Sequence, residues 1–148
     1  MNTSPDRPMD SNAPLSGAEI MRQFLPTSPF VGHLGIRLTE IQPGVATLTM
    51  PFADSLVTIG TTVHGGAIAS LIDTAATVAA WSDVPAPETL RGTTVNLTVA
   101  YLSAARGEDL EATACVLRRG RSLVYLDVLV QSASGVAVAK GLVTYKIG

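Results

Sequence analysis

The stretch VHGGAIASLIDTAATVAAW, from Val63 to Trp81, contains no proline and no glycine after Gly66. Alanine and leucine favour helix, and the run is longer than an ordinary strand, so the sequence predicts a long helix. Apolar residues occur all round this helix, which is typical of a helix buried in a core. It is too short, and holds too many small polar residues, to span a membrane.

Asp73 is the only charged residue of this predicted helix. A buried carboxylate costs free energy unless it is paired, hydrogen-bonded or protonated. Asp73 lies too far from the start of the helix to act as its N-cap. Either a chemical role or a hydrogen bond across a dimer interface would explain this residue.

The composition bounds the class of protein. A chain of 148 residues is long enough for one domain with a substantial core. Charged residues make up only 15% of it, well below the usual quarter, which suggests that partner subunits cover part of the surface. The net charge of −2 argues against general nucleic-acid binding. The single Cys115 excludes an intrachain disulfide framework and gives no metal cluster; it is expected to be a buried small residue.

The N-terminal part divides into a tail and the start of a domain. Residues 1–15 are rich in Pro, Ser, Asn and Asp and are expected to be disordered, with one domain over residues 16–148. They lack the apolar segment of a signal peptide, which favours a cytoplasmic protein. Ser16 and Glu19 have the spacing of a capping box for a short helix that Pro26 ends. Its apolar side is predicted to hold Ile20, Met21, Phe24 and Leu25, and residues 28–33 are expected to be a turn-rich connection.

The remaining segments are typical of strands, and together they indicate an α+β fold. Residues 34–41 and 45–50 predict a hairpin around Pro43-Gly44, and a loop over 51–62 leads into the helix. Four further runs, 93–102, 109–118, 122–132 and 136–146, predict an antiparallel meander. Strict alternation places Thr94 on the face opposite Leu97. A single sheet can bury the helix only by curling round it, and its open edge favours dimerisation.

Several motifs together resemble the hotdog-fold acyl-CoA thioesterases of the phenylacetic-acid-degradation (PaaI-like) type. The motifs are His64-Gly65-Gly66 with Asp73 in the middle of a helix, Leu34-Gly35-Ile36, residues 94–102, the basic turn from Arg118 to Leu123, and residues 139–145. The resemblance covers nearly everything from about residue 16 onward. It implies a hotdog fold in which a curved antiparallel sheet wraps one central helix.

The resemblance also implies roles for four residues. The backbone N–H of Gly65 would stabilise the oxyanion, and His64 would position the thioester. Asp73 from the other subunit would act as nucleophile or general base, and Thr94 would orient water or substrate. Elementary electrostatics and sterics support these roles, because the N-terminus of a helix stabilises developing negative charge and a glycine lets a substrate approach the backbone closely. Removing one oxyanion donor typically costs about 100–1000-fold in rate.

Other residues are expected to bind coenzyme A or the acyl group. The candidates for coenzyme A are Gly66, Tyr101, Ser103 and the turn formed by Arg118, Arg119, Gly120, Arg121, Ser122 and Leu123, since Arg suits phosphate recognition. Many members of the family carry Asn or Gln at the position of Thr58, where the amide helps to hold the reacting groups. Here either Thr58 or Thr61 takes over this role, or the reacting groups are held more weakly. Candidates for an apolar acyl pocket are Met21, Phe24, Leu25, Leu56 and Trp81, and the sequence does not discriminate among them.

Each functional assignment has a structural alternative. His64 could be only a cap or packing residue, and Gly65 and Gly66 could merely permit a tight turn. Thr94 could be an ordinary strand residue, and the three arginines could be a solvated hairpin turn. His33 is expected to be structural, and His64 is not expected to bind metal because no second His or Cys has suitable spacing.

Hydrolysis of an acyl-CoA thioester is the leading hypothesis, with a medium-chain or aryl-acetyl group expected by family. No metal or organic cofactor is expected, coenzyme A being part of the substrate, and the resemblance implies a homotetramer built as a dimer of dimers. One alternative is a non-catalytic hotdog protein that binds acyl-CoA as sensor or carrier, which Thr58 favours. Another is a dehydratase, which would need a His and a carboxylate placed for proton transfer at adjacent carbons. The His-Gly-Gly opening with Asp73 inside the helix argues against the dehydratase.

Overall fold

The computed structural model describes residues 13–148. Of the predicted tail, residues 1–12 therefore lie outside the described residues, and residues 13–15 are exposed. The first helix, α1, spans Gly17–Phe24 and begins with the predicted capping box. The Ser16 N–H donates to Glu19 Oε2 at 2.8 Å, and the Glu19 N–H donates to Ser16 Oγ at 3.3 Å. Met21 and Leu25 of the predicted apolar side are buried, whereas Phe24 is 52% exposed and lines a pocket together with Met21.

The connection after α1 is not a plain turn. A second helix, α2, spans Pro29–Leu34, where the sequence predicted only a turn-rich segment. Proline suits the first position of a helix because it has no N–H to leave unpaired. Gly35 ends the helix in the left-handed region with φ 70°, which a glycine adopts without strain. Both signals were present in the sequence, at the two ends of this segment.

Six strands form one antiparallel sheet, and a two-stranded sheet interrupts the loop before the central helix. The six are β1 (Arg37–Gln42), β2 (Val45–Met50), β5 (Gly92–Tyr101), β6 (Leu110–Arg119), β7 (Leu123–Ser132) and β8 (Ala137–Ile147). The small sheet pairs β3 (Val57–Ile59) with β4 (Thr62–Val63). The predicted hairpin and the four later strands are confirmed to within a few residues.

The strand order is β1-β2-β6-β7-β8-β5, which corrects the predicted meander. Of the four later strands, only β6, β7 and β8 follow one another as hairpins. Strand β2 occupies the edge of β6 that a meander would give to β5, with Val45 opposite Cys115. Strand β5 pairs with β8 on the other side, and residues 102–109 carry the chain across. The two edges of the sheet are therefore β1 and β5.

The long helix α3 spans Gly65–Trp81 and contacts all six strands of the main sheet. Its sheet-facing residues are fully buried, among them Leu71, Ile72, Ala75, Val78 and Ala79. The opposite stripe is only half-buried and holds Ala69, Ser70, Asp73, Thr74 and Thr77. The predicted burial all round the helix is therefore wrong on this stripe, where the residues are small or polar. The α+β class, with a curved antiparallel sheet round one long helix, is confirmed. Within residues 13–148, no helix is long and apolar enough to cross a membrane.

Candidate active site

His64 is the N-cap of α3. Its backbone is extended, with φ −62° and ψ 133°, and its Nδ1 accepts the Gly66 N–H at 2.7 Å. Because Nδ1 is the acceptor, the neutral imidazole carries its proton on Nε2. A Cβ on Gly66 would lie 2.9 Å from Nδ1, too close for this hydrogen bond to persist unchanged. Capping of the helix therefore uses only Nδ1 of His64. Among residues 13–148, Nε2–H has no hydrogen-bond partner and is available to donate.

Gly65 is fixed at the first position of the helix. The Tyr101 hydroxyl donates to the Gly65 carbonyl oxygen at 2.6 Å, and a Cβ on Gly65 would lie 3.2 Å from the Tyr101 ring. Among residues 13–148, no acceptor is found for the Gly65 N–H. This N–H lies at the positive end of the helix dipole and can therefore donate to a ligand.

A groove of about 360 Å³ runs past Gly65. It is lined by Thr58, Gly65, Tyr101 and Ser103, four of the residues that the sequence nominated, together with neighbours that include Ile68 and Leu102. The Ser103 hydroxyl is already used, since it donates to the Ala137 carbonyl oxygen at 2.6 Å. The structure therefore brings the predicted oxyanion donor and part of the predicted coenzyme A site to one groove.

Asp73 is held by Thr94. The Thr94 hydroxyl donates to Asp73 Oδ1 at 2.6 Å, and both residues are half-buried. This contact requires Thr94 to face the helix, whereas strict alternation placed it on the other face. The register of β5 on β8 shifts between Thr94, opposite Tyr145, and Asn96, opposite Thr144. This bulge adds one residue to β5 and so turns Thr94 to the same face as Leu97.

The basic turn between β6 and β7 lies at the other end of α3. Arg119 donates to the Ala80 carbonyl oxygen at 2.8 Å and forms an ion pair with Asp83, so it binds the C-terminal end of the helix. Arg118 and Arg121 are exposed, as a solvated turn would have them. The Gly120 N–H donates to the Leu123 carbonyl oxygen at 2.7 Å, and the Ser122 carbonyl accepts from Ile147. Within one chain, the turn is not brought to the Gly65 groove.

Two participants near these residues, Asp83 and Tyr145, were not among the residues that the sequence indicated, whereas Trp81 was. Asp83 is the partner of Arg119, and the acidic residue just after the helix was its only signal. Trp81 and Tyr145 are buried against each other, and the Trp81 Nε1–H donates to the Tyr145 hydroxyl at 3.0 Å. Burial raises the pKa of Tyr145, and the nearby Asp73 carboxylate adds a smaller effect in the same direction. The phenol therefore stays neutral well above neutral pH.

Cys115 and His33 were not expected to take part in the chemistry. Cys115 is half-buried rather than buried, and His33 is exposed. In the described part of the chain, no three His, Cys, Asp or Glu side chains lie close enough together to hold a metal ion.

Comparison with known proteins agrees with this architecture. The family model of the thioesterase superfamily matches residues 60–139, which include α3 and Thr94. Acyl-coenzyme A thioesterase 13 of Homo sapiens is 31% identical over 134 residues, covering 88% of this chain and 93% of that protein. The medium/long-chain acyl-CoA thioesterase YigI of Escherichia coli is 30% identical over 140 residues, covering 84% and 89%.

The fold has a close counterpart among solved structures. The E. coli PaaI protein from the phenylacetic acid degradation operon superposes with a TM-score of 0.79 at 24% identity, over 89% of this chain and 94% of that one. At this identity, the likeness concerns the fold. Together with the family match, it confirms the resemblance drawn from the motifs. The chain belongs to the thioesterase superfamily, has a hotdog fold like that of PaaI, and hydrolyses thioesters.

Proposed function

We propose that this protein hydrolyses acyl-coenzyme A to a free acid and coenzyme A, with Asp73 as base or nucleophile and the Gly65 N–H as oxyanion donor. The observation that carries the proposal is the Thr94–Asp73 hydrogen bond on the open stripe of α3. It fixes one carboxylate oxygen and leaves the other oxygen for a water or a substrate carbonyl. The two relatives are acyl-coenzyme A thioesterases, which supports coenzyme A thioesters as the substrate class. A medium-chain or aryl-acetyl group is the proposed acyl part.

The proposed site needs two copies of the chain. Gly65 and Asp73 are eight residues apart on one helix, which separates them by about 12 Å along its axis. One carbonyl group cannot contact both. A second copy related by a twofold axis would bring its own Asp73 to the first copy's Gly65, and each dimer would then hold two equivalent sites. The open edge of β5, which carries Thr94, supports this strand as the place where the copies meet.

The proposed chemistry follows from these positions. In the general-base form, Asp73 takes a proton from water as the water oxygen attacks the carbonyl carbon. The carbonyl oxygen becomes an oxyanion that accepts from the Gly65 N–H. The carbon–sulfur bond then breaks, and the thiolate leaves and is protonated. In the nucleophile form, the carboxylate attacks first and water cleaves the resulting anhydride, so both forms give the same products.

The groove beside Gly65 is proposed for the pantetheine arm of coenzyme A, with Thr58, Gly66, Tyr101 and Ser103 along it or at its edge. Arg118 and Arg121 are available for the phosphates of a coenzyme A molecule bound mainly to a neighbouring copy. Arg119 already binds the end of α3, so its proposed role is to hold in place the turn that contains Gly120, Ser122 and Leu123. We extend the proposal to a cytoplasmic dimer of dimers, which the resemblance to the family supports.

The first experiment measures release of coenzyme A from octanoyl- and phenylacetyl-coenzyme A by the parent and by Asp73→Asn. Loss of the base should lower kcat by at least about 100-fold, with binding of the substrate retained. Asp54→Asn, at an exposed aspartate that neither lines the Gly65 groove nor bonds Asp73 or Thr94, is the control for the charge change and should keep parental activity. Activity that survives in Asp73→Asn would refute the assignment of Asp73. A parent that binds both substrates without releasing coenzyme A would favour the non-catalytic binding protein.

A further inference from the structure

A pocket of about 210 Å³ lies between α1, the second half of α3 and the start of β5. Four apolar side chains and two hydroxyl-bearing ones line it: Met21, Phe24, Trp81, Leu90, Thr77 and Tyr145. It is separate from the groove beside Gly65. Its volume is below the range of about 300–1,000 Å³ that is common for ligand pockets, so it suits a compact group.

The pocket begins one helical turn beyond Asp73. Thr77 follows Asp73 by four residues and therefore lies on the same face of α3. Tyr145 is the register partner of Thr94, the residue that donates to Asp73. An acyl group whose carbonyl carbon is placed at Asp73 would reach this pocket directly.

The inner end of the pocket is closed and fixed. Trp81 is 2% exposed and Tyr145 is 4% exposed, and the hydrogen bond between them joins α3 to β8. Gly92 leaves room for this pair, since a Cβ there would lie 2.5 Å from the Tyr145 hydroxyl oxygen. Extension of a bound chain beyond this point would have to separate two buried aromatic residues.

The outer rim of the pocket is apolar and open. Phe24 and Leu90 are 52% and 59% exposed, and both line the pocket. Apolar surface of this kind gains free energy when a ligand covers it. A competing cleft of about 210 Å³ next to His64 is lined by five apolar residues, among them Phe30, but also by four polar side chains, those of His33, Ser55, His64 and Ser70. An apolar chain there would cover these polar groups, and burial of a polar group without a hydrogen bond costs free energy.

We propose that the pocket lined by Phe24, Thr77, Trp81 and Tyr145 receives the acyl group of the thioester and limits its length. This inference rests on the proposed function. It implies that each substrate spans two copies, with coenzyme A beside Gly65 of one and the acyl group in the pocket of the other. Trp81 and Tyr145 set the far limit, and Phe24 covers the entrance.

Binding can be tested without turnover, because Trp81 is the only tryptophan in the chain. The Asp73→Asn protein is titrated with octanoyl-coenzyme A and, separately, with coenzyme A alone, while tryptophan emission excited at 295 nm is recorded. Octanoyl-coenzyme A should change the emission with saturation, and coenzyme A alone should leave it unchanged. Unchanged emission in a titration where calorimetry records octanoyl-coenzyme A binding would overturn the proposal.

Chain-length preference gives a second test, with a matched pair of variants. Phe24→Ala enlarges the pocket at its open rim, so that a chain too long to end at Trp81 and Tyr145 can continue outward there. Phe30→Ala makes the same change at a similarly exposed position on the His64 cleft, and Thr77→Leu fills the pocket. The ratio of kcat/KM for dodecanoyl- over octanoyl-coenzyme A should rise about tenfold in Phe24→Ala and fall about tenfold in Thr77→Leu. It should stay at the parental value in Phe30→Ala.

A shift in Phe30→Ala without one in Phe24→Ala would move the acyl group to the His64 cleft and refute the proposal. The two proposals also fail separately. A parent that releases no coenzyme A but shows the saturable Trp81 response refutes hydrolysis and supports the pocket. Normal turnover with a flat Trp81 response refutes the pocket alone.

Discussion

Asp73 and Gly65 owe their exposure to small neighbours. Asp73 lies on a stripe of α3 with Ala69, Ser70, Thr74 and Thr77, none of which is large enough to cover it. Among residues 13–148, its carboxylate accepts one short hydrogen bond, from Thr94, and takes part in no ion pair. At the start of the helix, Gly66 makes room for the His64 cap and Gly65 makes room for Tyr101. Asp73 and Gly65 therefore each take part in one structural hydrogen bond. Each also keeps one polar group without a partner among residues 13–148, namely the second carboxylate oxygen of Asp73 and the N–H of Gly65.

The unused group on Gly65 is its N–H, and a pair of variants isolates it. Gly65→Ala and Gly65→Pro add the same Cβ next to Tyr101, but only proline removes the N–H. Proline is tolerated at the first position of a helix, and the extended His64 backbone is compatible with a following proline. We expect kcat for octanoyl-coenzyme A to be about 100–1000-fold lower in Gly65→Pro than in Gly65→Ala. Equal rates in two folded variants would show that this N–H is not the oxyanion donor.

At the scale of elements, α1 is a short helix that a specific cap holds beside α3. The Gly17 N–H donates to the Val84 carbonyl oxygen at 2.8 Å, and Met21 and Phe24 line the proposed acyl pocket beside Trp81. Hydrogen bonds from the Ser16 N–H and hydroxyl lower the pKa of Glu19. The contribution of Glu19 to stability is therefore complete above the pKa that Glu19 has in the unfolded chain. It is lost as the pH falls through the lower pKa that Glu19 has in the folded protein.

The cap can be tested with two serines that occupy the same helix position in different helices. Ser16 caps α1 with its side chain, whereas Ser28 is the N-cap residue of α2 without a side-chain hydrogen bond. Ser16→Ala should lower the free energy of unfolding by about 1 kcal/mol in urea titrations at pH 7. Ser28→Ala should change it by less than about 0.5 kcal/mol. A cost as large for Ser28→Ala would mean that the hydrogen bond at Ser16 is not the source of stability.

At the scale of the whole molecule, one chain holds every proposed reacting group but not in one place. The oxyanion donor lies at the start of α3, the carboxylate at its middle and the basic turn beyond its end. A helix of 17 residues is about 25 Å long, so these groups can act together only if copies exchange them. The open edge of β5 and the half-buried stripe of α3 are where such an exchange would occur.

Complementation between two inactive variants tests whether the site is shared. Gly65→Pro and Asp73→Asn chains are co-expressed with different affinity tags, and mixed dimers are isolated through both tags. In a mixed dimer, one site has both defects and the other has neither, so mixed dimers should regain about half of the parental activity per dimer. Mixed dimers as inactive as either variant would place the whole site within one chain.

The sequence by itself determined the helix from residue 65 to 81, the Ser16 capping box, the first hairpin, the extents of the later strands and the family. These features depend on neighbours within a few residues: helix-forming side chains, turn residues and alternation. The motif His64-Gly65-Gly66 also lies where the helix begins, because the two glycines serve the cap and the groove locally. The α2 helix was missed although Pro29 and Gly35 mark its ends, since six residues give too short a pattern to outweigh turn-forming residues.

Only the tertiary structure decided which strand lies next to which and where the side chains of the site point. Strand β5 lies beside β8 because β2 occupies the edge of β6, a competition between segments far apart in sequence. A single bulge reversed the face of Thr94 and so brought its hydroxyl to Asp73. The engagement of Arg119 with the end of α3 and the packing of Trp81 on Tyr145 also join distant segments. Local patterns fix elements, whereas contacts between elements depend on the packing of the whole chain.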